Sequence, residues 1–125
     1  MLSLRPVDHS LISKYFVDLQ KKSHCYELPP EGAEFLGIYN DETLIGYFIV
    51  QGFEDGDVEI NQGYLMREYR HLALPSACME MLENICKAAG YKRVLLGTHN
   101  RFRSYLKFAK TLGYKPNHLI FVKEL

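Results

Sequence analysis

Apolar positions change their period along the chain, and each change marks an element. Residues 2–5, 35–39, 44–51, 58–66 and 119–123 are short stretches dense in Val, Ile, Leu, Phe and Tyr, the mark of β-strands. Residues 93–96 form a continuous apolar run bounded by Gly97, which predicts a strand buried on both faces. Elsewhere the period is helical. Asp8 or Ser10 caps a helix whose Leu11, Ile12, Tyr15, Phe16 and Leu19 share one face. Pro75 opens a second helix, with Leu82, Ile85, Cys86 and Ala89 as its inner stripe and Gly90 as its stop. A third, over residues 100–112, sets Phe102, Tyr105, Leu106, Ala109 and Leu112 among Arg101, Arg103, Lys107 and Lys110, and Gly113 closes it. Residues 40–43 and 52–57 read as hairpin turns, while residues 21–33, with Pro29, Pro30 and Gly32, and residues 115–119 read as loops.

The order is β-α-β-β-β-α-β-α-β. A strand-helix-strand step after an antiparallel meander predicts an α/β (α+β) fold: a mixed, mainly antiparallel sheet with helices on both faces. The 125 residues suit one domain, 1–125, and a composition 47% hydrophobic and 24% charged excludes a disordered chain. No internal repeat or linker divides it. With no apolar run near the roughly 20 residues of a spanning helix and no signal-peptide order at the N-terminus, a soluble cytoplasmic protein without membrane contact is expected. Cys25, Cys78 and Cys86 are an odd set without metal-ligand spacing, so neither a disulfide framework nor a metal site is expected. Fifteen bases balance fifteen acids, but residues 1–90 carry a net of −7 and residues 91–125 a net of +7. An anionic ligand would favour the C-terminal third, unless that charge is simply a solvated helix face.

Three local signatures sharpen the picture. Leu4-Arg5-Pro6-Val7-Asp8 is similar to an opening strand followed by a capping acid. Glu59-Ile60 followed by Tyr64-Leu65-Met66-Arg67-Glu68-Tyr69-Arg70 is similar to a fourth strand leading through a "peyR" segment into a phosphate loop. Phe108-Ala109-Lys110-Thr111-Leu112-Gly113-Tyr114 is similar to a helix end of the form "lYeklGF". In this order they resemble the GNAT superfamily of acetyl-CoA-dependent N-acetyltransferases, across nearly the whole chain. The resemblance implies a sheet splayed between the strands at 58–66 and 93–96, and acetyl-CoA bound by Leu65, Met66, Arg70, His71, Leu72, Ala73, Leu74, Ser76 and Asn100.

Acetyl-CoA carries a pyrophosphate and a 3′-phosphate, which call for backbone N–H groups at a helix N-terminus and nearby positive charge. Residues 70–76 offer both. In the family this loop holds glycines where the present chain has Ala73 and Pro75, and Pro75 removes one N–H donor. Transfer requires a group that takes the amine proton and a group that protonates the thiolate. Glu59, eleven residues before Arg70, stands where the histone-acetyltransferase branch keeps its base; the other reading is a carboxylate on an exposed strand face. The usual Tyr acid is replaced by Ala109, and Tyr105, one turn earlier, either substitutes or serves as a core aromatic. His99 is a further candidate or a turn histidine.

Two functions from different classes stay open. The first is an N-acetyltransferase acting on a small-molecule or protein amine. Ser104 to Gly113 also resembles the corresponding helix of small GNAT-like proteins of tailed bacteriophages, which implies a binding or assembly protein without turnover. Pro75 and Ala109 favour the second reading, Glu59 and Arg70 the first. Nucleic-acid binding through residues 100–113 is disfavoured by the neutral chain. The long loop at residues 21–33 would leave apolar surface for a homodimer or protein partner to cover.

Overall fold

Strands form where the apolar stretches predict them. The computed structural model describes residues 1–12, 31–71, 73–97, 109–117 and 120–125. Its strands are β1 (Leu2–Pro6), β2 (Glu34–Asn40), β3 (Thr43–Gly52), β4 (Asp57–Leu65), β5 (Arg93–Gly97), β6 (Lys115–Asn117) and β7 (Ile120–Glu124). They make one seven-stranded sheet in the order β1-β2-β3-β4-β5-β7-β6. Every neighbouring pair is antiparallel except β4 and β5. That parallel step needs a crossover, and the helix α1 (Leu74–Ala88) supplies it.

The larger core lies between the sheet and α1. It gathers Ile38, Ile45, Phe48, Val50, Val58 and Ile60 from the strands with Cys78, Met79, Leu82 and Cys86 of α1, and it also takes in Ala109 and Tyr114. A smaller cluster of Ile12, Tyr47 and Ile49 covers the other face. Asp8 caps the helical turn that brings Ile12 there: Ser10 N–H donates to Asp8 Oδ1 at 2.9 Å, and this bond holds the Asp8 carboxyl below its usual range. His9 stacks on Phe35 with ring centroids 4.7 Å apart, docking the turn on β2. Helices therefore do flank both faces, as the pattern predicts.

Three expectations are corrected. Residues 115–117 are not loop but an edge strand paired with β7, so the element order gains a strand; an edge is where a sheet admits a proline such as Pro116. Ile85 and Ala89 do not join the inner stripe of α1. Ile85 is 43% exposed, and Ala89 is exposed too, because the helix rolls to bury Met79 and Glu83 instead. The helix begins at Leu74, one residue before Pro75, and Gly90, at φ +96, ends it as expected. The first helix beyond Ile12, the loop as far as residue 30 and the third helix up to residue 108 lie outside the described residues.

Candidate functional site

β4 keeps a described partner on its β5 side for only part of its length. Asp57, Val58, Glu59 and Ile60 face Arg93, Val94, Leu95 and Leu96 of β5 in parallel register, and there the pairing stops. Residues 61–65 of β4 have no described strand on that side. The closed end is pinned by a bidentate pair, in which Arg93 Nε and Nη2 donate to Asp57 Oδ1 and Oδ2 at 2.8 and 2.7 Å. Among the described residues the two strands pair as far as Ile60 and Leu96, where the predicted splay would have its apex.

Local irregularity shapes the opening. Ile49 faces Gln62 while Val50 faces Ile60, so Asn61 is an extra residue with no cross-strand partner. Such a bulge breaks the ladder and re-aims the groups beside it. Beyond it the alternation of an antiparallel pair decides which backbone groups are free. Met66 N–H donates to Ile45 O at 2.8 Å, and Gly46 faces Leu65. Leu65 and Gly63 therefore turn their N–H and C=O away from β3, toward the opening. This edge is able to bind an extended chain of amides as a further strand would be bound.

The described residues among those predicted from the sequence lie on β4 and on the segment that follows it into α1. At the far end, the Leu65 side chain is buried in the core, so its backbone is what it offers. Arg70 Nε donates to Leu65 O at 2.5 Å, and its guanidinium lies 5.0 Å from the centroid of the Tyr64 ring. Tyr64 in turn stacks on Tyr47 at 5.8 Å. Arg70 is therefore committed by one nitrogen to β4 and by its face to Tyr64, rather than extended freely toward the helix. Met66 packs partly buried between both clusters, and His71 is exposed.

The N-terminus of α1 follows. Ala73 is its N-cap with φ −95, a conformation open to any residue, and no side chain caps it. Leu74 N–H donates to His71 O at 3.3 Å and Pro75 has no N–H, so neither position offers a donor to a ligand. Ser76, partly buried, follows in the first turn.

At the near end, Glu59 is partly buried between Val58 and Ile60, whose side chains enter the core on the α1 side. Alternation places the Glu59 side chain on the opposite face. No described residue pairs with its carboxylate. Ala109 is wholly buried in the larger core. Leu72, His99, Asn100 and Tyr105 lie outside the described residues. No cluster of three or more potential metal ligands occurs among the described residues, and no described helix is long and apolar enough to cross a membrane.

Asn61 and Gly63 went unremarked in the sequence reading. Their signal was present: Asn61-Gln62-Gly63 interrupts a strand with residues of poor β propensity.

The sequence model of the family described as Acetyltransferase (GNAT) family matches residues 5–114. The chain belongs to the GNAT family. Solved structures share the GNAT fold across their full length. An IAA acetyltransferase from Bacillus cereus superimposes with a TM-score of 0.79 at 11% identity, covering 100% of both chains. A GNAT family acetyltransferase from Elizabethkingia anophelis with acetyl-CoA bound gives 0.76 at 12% identity, covering 99% of this chain and 98% of that one. The PaiA N-acetyltransferase from Thermoplasma acidophilum, in complex with coenzyme A, gives 0.67 at 18% identity with 99% and 98% covered. A comparison with curated proteins finds no match. Against the GNAT pattern, Ala73 fits its loop position without strain, Pro75 withholds a donor, and the usual position of the Tyr acid is filled by the core residue Ala109.

Proposed function

We propose that this GNAT protein is an N-acetyltransferase that uses acetyl-CoA and acts on an amine carried by a small molecule or a protein. The observation that carries the reading is the edge of β4 beyond Ile60, which pairs with no described strand and leads through the turn at Arg67–Tyr69 into α1. The pantetheine arm of acetyl-CoA is a chain of amides suited to such an edge, and its phosphates suit the helix end. Leu65 and Met66 would meet the arm, with Arg70, His71, Ala73, Leu74 and Ser76 around the phosphates. Leu72 and Asn100 join this set on the resemblance.

Acetyl-CoA supplies an activated acyl group: the amine nitrogen bonds to the carbonyl carbon, the C–S bond breaks, and coenzyme A leaves as the thiol. Glu59 takes the proton lost by the amine, directly or through a water. Tyr105 gives a proton to the departing sulfur. Arg70 fixes the end of the β4 edge through Leu65 and adds positive charge near the phosphates.

Thermal unfolding with acetyl-CoA tests the reading. Ligand at 100 times its dissociation constant should stabilise the fold by about 2.7 kcal/mol. Glu59→Gln should keep that effect while abolishing release of coenzyme A thiol in the presence of amines, because the base acts on the amine. An unchanged melting curve in millimolar acetyl-CoA would overturn the proposal. A second reading, a GNAT-fold binding protein without turnover, is favoured by the core position of Ala109 and the donors missing at Leu74 and Pro75. Stabilisation without thiol release by the wild type, across a panel of amines, would select it.

A further inference from the structure

A sheet has two edges, and the two edges of this one differ. At one stands β6, three residues long and carrying Lys115 and Pro116, devices that keep a strand from pairing further. At the other stands β1, with no lysine and no register shift, and no described strand lies beyond it. Its register with β2 decides which of its backbone groups are used. Val7 N–H donates to Phe35 O at 3.0 Å, and Met1 O accepts from Asp41 N–H at 2.9 Å. An antiparallel pair alternates bonded and unbonded residues, so Ser3 and Arg5 also bond β2, while Leu2, Leu4 and Pro6 turn their backbone groups outward. The outward row therefore offers an N–H and a C=O at Leu2 and at Leu4, and it ends at the Pro6 ring.

That row is complementary to itself. With a two-fold axis through Ser3, perpendicular to the sheet, Leu2 of each copy faces Leu4 of the other, and each N–H meets the C=O opposite. An axis through Leu4 would instead set the Pro6 ring against the Leu2 carbonyl of the other copy, so the proline selects the register. The side chains agree with the backbone. Leu2 and Leu4 are half-buried on the α1 side of the sheet, and this axis keeps the α1 sides of both copies together, so leucine covers leucine. Charge does not hold the strands apart. Arg5 would face Met1 of the other copy, but within each chain Glu42 answers Arg5 at 3.4 Å and Asp41 answers the Met1 amine at 2.7 Å.

We infer that β1 is a self-association edge, along which a second copy of this chain extends the sheet antiparallel about Ser3. A foreign strand would meet the same N–H and C=O groups. The second copy also brings its own half-buried leucines to the α1 side and satisfies its own edge in the same contact. The inference is independent of acetyl transfer.

Across the axis Ser3 faces Ser3 as an unbonded pair, with Cα atoms about 4.5 Å apart, within the span that a disulfide bridges. Ser3→Cys should therefore give a covalent dimer on mild oxidation, seen on a non-reducing gel. Glu42→Cys, exposed in the turn after β2, should not, and wild type controls for Cys25, Cys78 and Cys86. Light scattering at micromolar concentration should give wild type twice the 14.5 kDa mass of the chain. Ser3→Asp sets two like charges face to face and should give the single mass, with circular dichroism reporting that it is folded. Selective trapping through Ser3→Cys supports the edge whatever the strength of the free dimer, and also where Ser3→Asp does not fold. A Ser3→Cys protein that stays unlinked, or links no more than Glu42→Cys, would overturn the inference. A dimer that persists in folded Ser3→Asp would overturn it too, by placing the interface elsewhere.

Discussion

A carboxylate survives in a protein interior only when its oxygens are satisfied. Glu83, 8% exposed on α1, meets that condition through the last elements of the chain: Tyr114 Oη donates to Oε2 at 2.8 Å, and Lys123 Nζ donates to the two oxygens at 3.0 and 3.1 Å. Tyr114→Phe should therefore cost about 1.5–3 kcal/mol, the range for a hydrogen bond to a charged group, read as a lower urea midpoint at unchanged slope. The same carboxylate acts on Cys86, one turn along. Burial first, then the charges of Glu83 and Glu34, push the Cys86 thiol from 9.0 up to about 11. A group whose pKa is raised by folding stabilises the fold fully below its unfolded pKa and loses that contribution as pH climbs through the folded value. Stability should thus fall between pH 9.0 and about 11 more steeply in wild type than in Cys86→Ala. Parallel slopes in denaturant melts across that window would contradict this.

At the scale of elements, the packing of α1 separates two residues that the helical period groups together. Leu82 is 1% exposed and Ile85 is 43% exposed. Leu82→Ala should cost about 2–5 kcal/mol, whereas Ile85→Ala should stay within about 0.5 kcal/mol as a surface change. The period was legible in the sequence, but the phase was not. Glu83 reads as an outward residue until Tyr114 and Lys123, more than thirty positions on, are known to meet it. Strands show the same limit. Their apolar stretches announce them, yet the pairing of residues 115–117 with β7 depends on which edge of the sheet is free, a property no short stretch contains. Much the same holds for the site. Residues 65–76 are contiguous and carry their own pattern, while the stretch of β4 without a described partner follows from where its pairing with β5 stops, and Asn61 is set apart by a register shift against β3. Gly46 lets β3 approach β4 closely at Leu65. A methyl group there would press on the Tyr64 carbonyl oxygen and come to 3.0 Å from Leu65 Cα. Gly46→Ala should therefore destabilise by about 1–3 kcal/mol, as overpacking does, and should weaken acetyl-CoA binding by shifting the edge.

Across the whole molecule, the opposite charges of the two parts of the chain are in part spent on each other. Lys123 answers Glu83 and Arg93 answers Asp57, so two of the eight bases in residues 91–125 hold that third of the sequence onto the acidic remainder. The Asp57 pair also stands at the foot of the β4–β5 register, four residues below the bulge, which gives it a second consequence. A splay has a fixed apex only if the strands below it stay together. Asp57 accepts two hydrogen bonds from Arg93, and its own N–H donates to Asp55 Oδ1 at 3.0 Å, so the start of β4 is held on both sides. In Asp57→Asn the Arg93 guanidinium loses its charged partner while the side-chain shape is kept. The unfolding temperature should drop, and the four-residue register with β5 should fray from its open lower end. Amide exchange at Val58 and Ile60 is the direct readout, and it should quicken relative to exchange in β2, which does not touch the pair. Because the apex would then be less fixed, the gain in melting temperature with acetyl-CoA should shrink, although Asp57 lies below the opening and is not expected to meet the ligand. Faster exchange with an undiminished acetyl-CoA effect would show that the bulge at Asn61, and not the pairing beneath it, holds the opening in shape.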